Sequence, residues 1–111
     1  MEKLVKQADV NHFLYQVERI FPNFVAGILC DRHGFPIASK IPQNFPIQEN
    51  ILALSAISNK RDLIRDINYL KVKRDIDESK DIRLYLLLED NKKYFHRFKK
   101  LKRLIEKQNL F

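Results

Sequence analysis

Glycine is scarce in this 111-residue chain, with two residues, and proline occurs four times. Two glycines cannot build a phosphate-cradling loop, and neither a P-loop nor G-x-G-x-x-G is present. So little Gly and Pro also leaves little of the chain free to act as linker. There is one cysteine, Cys30, so no internal disulfide can form. It sits inside an apolar run, where an inert buried thiol is expected. No apolar run approaches the ~18 residues of a membrane span, and residues 1–6 are too polar for a secretory signal. With the lone reduced thiol, these features give a cytoplasmic location as the expectation. His12, His33 and His96 stand apart from any Cys or carboxylate at metal-ligand spacing, and no G-x-S-x-G or H-E-x-x-H occurs. Asp75, Asp77, Glu78, Asp81, Glu89 and Asp90 gather near strand ends and read as solvated turn carboxylates. No catalytic, metal or cofactor site is expected, and an enzyme is not the reading these residues favour.

What the chain does have is oil and one-sided charge. Apolar residues make up 45%, enough for the core of a single domain over residues 1–111. The net charge of +7 is concentrated at one end: residues 1–90 carry 13 Lys+Arg against 13 Asp+Glu, whereas residues 91–111 carry eight basic residues against Glu106 alone. Any electrostatic attraction of acidic partners therefore comes from the last segment.

The clearest local signal lies at residues 25–39. Two apolar runs flank Asp31-Arg32-His33-Gly34. Asp31 can accept from amides two residues on, and Gly34 can take a positive φ, so a β-hairpin is predicted. Pro36 lacks an amide donor, which puts the second strand at a sheet edge or Pro36 at a position where that amide would face solvent. Before the hairpin, Val10, Phe13, Leu14, Val17, Ile20 and Phe21 recur at helical spacing, with Asp9 as N-cap and Pro22 as stop.

After a two-proline loop, a second helix is predicted from about Ile47 to between Asn59 and Ile67. Its first half places Gln48, Ser55 and Asn59 on one narrow polar stripe, and apolar residues cover most of the rest. A helix on one sheet needs an apolar arc of about 100°, and this arc is roughly twice that. Either the helix is sandwiched within the domain or a second subunit covers it. A chain this short, with three helices and one sheet, has little material to cover both sides of that helix, which favours the subunit.

Residues 69–74 alternate, with Leu70 and Val72 on one face. Residues 76–81 form a polar turn. Ile82, Leu84, Leu86 and Leu88 alternate with Arg83, Tyr85 and Leu87 in a further strand. A last helix, capped by Asn91, packs Tyr94, Phe95, Phe98, Leu101, Ile105 and Leu104, and carries Lys92, Lys93, Arg97, Lys99, Lys100, Lys102, Arg103 and Lys107 elsewhere. The expected fold is α+β: one antiparallel sheet with helices packed on it, in the order α-β-β-α-β-β-α.

Residues 21–39, from Phe21-Pro22-Asn23-Phe24 through Asp31-Arg32-His33-Gly34 to Phe35-Pro36-Ile37-Ala38-Ser39, resemble the Roadblock family, which includes the roadblock-type dynein light chains. That family has a short helix, a proline or glycine before strand one, an Asp-x-x-Gly turn, and then an Ala/Leu-rich helix, here matched by Glu49-Asn50-Ile51-Leu52-Ala53-Leu54-Ser55-Ala56-Ile57. The resemblance spans residues 10–58. Family members usually have three strands between the second and third helices, where two are legible here, so either one strand is missing and the sheet has four, or two lie within residues 60–81 and it has five. Longin and profilin-like sheets share parts of this architecture.

The resemblance implies a protein without an active site or cofactor that forms homodimers, or heterodimers with another Roadblock protein, through the second helix and a sheet edge. On this chain the interface would take Ile47, Ile51, Leu54, Ile57, Leu70 and Val72. The implied function is a scaffold or regulator of a small Ras-like GTPase. The basic last helix supports an alternative, a peripheral module contacting anionic membrane or nucleic acid through Lys92, Lys93, Arg97, Lys99, Lys100, Lys102 and Arg103. Nucleic acid is the weaker partner, because no helix-turn-helix or aromatic RNA-binding sheet is apparent. The bland reading is a solvated face over an aromatic core stripe, and a further one is docking to an acidic protein surface.

Overall fold

A computed structural model describes residues 6–57 and 69–110. Helix α1, Gln7–Ile20, leads into strand β1, Phe24–Asp31, and strand β2, Pro36–Lys40. Helix α2, Glu49–Ile57, precedes strands β3, Tyr69–Asp75, and β4, Ile82–Glu89. A 3₁₀ segment, Lys92–Arg97, runs into helix α3, Phe98–Lys107. The fold is α+β, with one antiparallel four-stranded sheet in the order β2-β1-β4-β3. The far limit expected for the second helix, and any strand before residue 69, lie outside the described residues.

The two central strands carry apolar side chains on both faces, and the period of two sends alternate residues opposite ways. Leu29, Leu84, Leu86 and Leu88, with Val72 and Ala38, meet Val10, Phe13, Leu14, Val17 and Phe21 around α1 and Leu101 of α3. Ala26, Ile28, Cys30, Tyr85 and Leu87 meet Leu52, Ala53 and Ala56 of α2. The helices therefore cover both faces, two on one side and one on the other. The 14-residue α1 and 10-residue α3 share one face, and the nine described residues of α2 pack on the other together with Ile41, Phe45 and Ile47.

The hairpin forms as its chemistry requires. One carboxylate oxygen of Asp31 accepts from the amides of His33 and Phe35, both at 2.9 Å, and Gly34 has φ +85°. Pro36 lies on edge strand β2, where a missing donor interrupts no inner ladder. Helix α1 begins two residues before the expected cap. Lys6 holds the N-cap position without a side-chain bond, and Asp9 falls in the first turn, where its charge suits the positive helix end. Asn91 caps as expected, accepting from the Lys93 amide at 3.0 Å, but the turn it starts is 3₁₀ and α3 proper begins at Phe98.

Three side-chain bonds to carbonyls tie segments distant in sequence to one another. Asn23 donates to the Glu89 carbonyl at 2.6 Å, Arg97 to the Ile20 carbonyl at 3.2 Å, and Gln108 to the Ile76 carbonyl at 3.1 Å. Phe21 and Phe98 place their rings 5.3 Å apart between α1 and α3.

A Cβ at Gly34 would meet Leu54 at 3.0 Å and Ile57 at 3.1 Å, on a backbone that L-residues rarely adopt. Gly34→Ala is expected to destabilise the fold by ~1–2 kcal/mol from the left-handed backbone alone, read as a lower urea midpoint. An unchanged midpoint would show that the turn does not hold this conformation.

Candidate functional site

Helix α2 lies across β1, β4 and β2 with one side down and one side out. Leu52, Ala53, Ser55 and Ala56 face the sheet and are buried. Leu54 is 42% exposed, and Ile51 and Ile57 beside it are half-buried. Ser55, expected on the narrow polar stripe, is 0% exposed and satisfies its hydroxyl by donating to the Ile51 carbonyl at 2.8 Å. Serine is small enough to let the helix approach the sheet, and the bond back to the preceding turn removes the cost of burying an unpaired hydroxyl. Of the other two stripe residues, Gln48 is exposed and Asn59 lies outside the described residues.

Ile47, Ile51, Leu54 and Ile57 thus share the outer side of α2, with Ile47 half-buried in the preceding loop. Leu70 and Val72 do not join them. The β3–β4 register opposes Leu70 to Leu88 and Val72 to Leu86, which sends both to the α1/α3 side, and Val72 is only 5% exposed there. They are core residues of the opposite layer. The α2 side of β3 instead carries Tyr69, Lys71 and Lys73, with the Lys73 ammonium 5.6 Å from the Tyr85 ring centre and Tyr69 stacked on Phe45 at 6.3 Å.

The apolar surface of α2 continues onto the hairpin. Leu54 and Ile57 pack over Gly34, and the next residue, Phe35, is 66% exposed. Sequence reasoning placed Phe35 at the start of strand two. The available signal was Asp31, whose carboxylate captures the Phe35 amide and keeps that residue in the turn. Polar contacts frame this surface. The Ser39 hydroxyl bonds the Glu49 carboxylate at the start of α2. At its other end, Arg83 donates to the Ala56 carbonyl at 3.0 Å while pairing with Asp75 at 3.2 Å.

The basic residues occupy the opposite side of the domain. Lys92, Lys93, Lys99, Lys100, Lys102 and Arg103 are exposed. Arg97 is not of that set: it is half-buried, bonded to Ile20, with its guanidinium 5.9 Å from the Tyr94 ring. Phe95, expected in the packing stripe, is 42% exposed, because the 3₁₀ turn has three residues per turn and rotates it off the core side.

A cavity of ≈ 730 Å³ between the β3–β4 turn and the end of α3 is lined by Asp77, Glu78, Ser79 and Gln108. Burial would raise the Asp77 carboxyl, but hydrogen bonds from Ser79 and from the amides of Ile82 and Asp81 outweigh it and hold it below the usual carboxylate value. That carboxylate closes the turn. Among the described residues, no group of three His, Cys, Asp or Glu side chains is placed to hold a metal ion.

Cys30 lies under α2, with its sulfur 3.7 Å from the Ala53 carbonyl. Burial, and then the neighbouring Asp31 charge, push its thiol up to about 11 against a weaker opposing pull from Arg83. A native sample at neutral pH is expected to resist a thiol-specific reagent and to react fully once unfolded. Because the folded state disfavours the thiolate, stability should fall as pH rises from 9.0 toward about 11. Rapid labelling of the native protein would contradict the placement of α2 over β1. Comparison of the chain with protein-family models, curated proteins and solved structures returned no significant match.

Proposed function

We propose that this chain is a cytoplasmic, non-enzymatic scaffold that pairs through the outer side of α2 and presents the pair to a small Ras-like GTPase. The observation that carries this reading is Leu54, 42% exposed between half-buried Ile51 and Ile57 and continued by Phe35. A cluster of large aliphatic and aromatic groups on a regular element suits a protein contact, where such side chains supply the buried anchors. The partner subunit would take up the part of the broad apolar arc that the sheet leaves open. The resemblance of residues 10–58 to the Roadblock family supplies the GTPase, as a platform role that needs a surface and no reactive group. Leu70 and Val72 have no part in this contact, since they belong to the other layer.

Light scattering is expected to give twice the 13.3 kDa subunit mass at tens of micromolar. Leu54→Asp should give a folded monomer by circular dichroism, because the side chain already faces outward and its replacement opens no core cavity. The wild-type dimer should retain a Ras-like GTPase in one nucleotide state and release it in the other. A wild-type protein that is monomeric throughout, or an aspartate variant that stays dimeric, overturns the pairing. A stable dimer that holds such a GTPase equally with GDP and a GTP analogue, or not at all, overturns the regulatory role.

A further inference from the structure

We infer that the outward side of α3 is an electrostatic docking surface for an anionic phospholipid bilayer, which would leave the α2 surface facing away from the membrane. This inference does not rest on the GTPase reading.

The argument begins with the helix's own geometry. Leu101 is buried, and Phe98, Leu104 and Ile105 pack against the α1 side of the core. At 100° per residue, Lys99 and Arg103 stand almost opposite Leu101, with Glu106 to one side and Lys107 to the other, and all four are exposed. Lys100 and Lys102 flank this outward ridge. The carboxylate on this helix is Glu106, 4.0 Å from Lys102, and it leaves the ridge strongly positive. Because the apolar side is already occupied by the core, α3 cannot bind lipid as a free amphipathic helix would, by sinking its oily face. It can meet a membrane only with its charged face, so the interaction must be adsorption driven by Coulomb attraction and readily screened by salt.

Two features favour lipid over nucleic acid. The ridge is dominated by lysine, a point charge suited to diffuse headgroup charge, where a nucleic-acid backbone is more often clamped by the arginine fork. At its head stands Phe95, 42% exposed with its ring 6.1 Å from Phe98. An exposed aromatic beside lysines gains by entering the headgroup region and gains little against a duplex backbone. The sheet separates this ridge from Leu54, since α2 covers one face and α3 the other. A membrane-bound domain would therefore still offer its apolar surface to a second protein.

The test is flotation of the full chain with vesicles of phosphatidylcholine alone or with about 30% phosphatidylserine. Binding is expected only to the anionic vesicles, and is expected to fall steeply between about 0.05 M and about 0.3 M salt. Combined Lys99→Glu, Arg103→Glu and Lys107→Glu should weaken it by about 10-fold or more, with helix content checked by circular dichroism. The charge-preserving set Lys99→Arg, Arg103→Lys and Lys107→Arg should bind as wild type. Leu54→Asp should keep its preference for anionic vesicles, so failure of the pairing and failure of the lipid surface are read separately. Equal binding to neutral vesicles, undiminished binding by the folded charge-reversed protein, or tighter binding to a duplex oligonucleotide than to anionic vesicles at the same salt would each overturn the inference.

Discussion

The pairing of β1 with β4 is the constraint from which the rest of this molecule follows. Both strands sit inside the sheet, and both are apolar on both faces: Leu29, Leu84, Leu86 and Leu88 one way, Ile28, Cys30, Tyr85 and Leu87 the other. Neither face can be left to water, because each carries several large side chains whose exposure costs about 1.5–3 kcal/mol apiece. Helices must therefore be divided between the two sides. The edge strands are relieved of this demand. β2 accommodates a proline, and β3 carries Lys71 and Lys73 toward the α2 side.

That division explains why α2 exposes what it does. Among the described helices it is the one on its face, and it packs there with Ala53, Ala56 and Ser55, whose small side chains bring the helix backbone close to the strands. Leu52 adds the large inward side chain. Once the small residues are turned inward, Leu54, Ile51 and Ile57 are carried round to the outside, where Leu54 and Ile57 close over the glycine of the hairpin turn. The exposed oil is a consequence of close packing beneath it, and Gly34 is part of the same arrangement, since any larger residue there would push against the two side chains that define the outer surface.

Much of this was legible from local chemistry. Asp31 with Gly34 dictates the hairpin, Pro36 places β2 at an edge, and the alternation from Ile82 to Leu88 marks the central strand. What was not legible has a physical cause in each case. Where nearly the whole circumference of a helix is apolar, periodicity cannot say which part faces the sheet, and a serine that can bond its own preceding turn is a poor marker of the wet side. Alternation told that Leu70 and Val72 share a face, but only pairing with β4 decides which face. An α-helical repeat puts Phe95 on the packing side, whereas its turn is 3₁₀. The outer patch was thus recoverable as a set of residues on α2, and its extension to Phe35 required knowing where the turn ends.

The basic ridge raises a question of stability that the packing answers. Lys99 with Arg103, and Arg103 with Lys107, are like-charge pairs at i,i+4, each unfavourable to an isolated helix by roughly 0.2–0.5 kcal/mol, and Lys102 with Glu106 is the compensating pair at that spacing. Ten residues with this charge pattern would be a marginal helix in water. α3 forms because Leu101 is driven into the core and Phe98 against Phe21, while Arg97 and Gln108 fasten its two ends to carbonyls of Ile20 and Ile76. The helix is thus held from one side against repulsion on the other. An opposing negative surface would remove that repulsion without disturbing any contact that makes the fold, which is why the charge can be presented there at little structural cost.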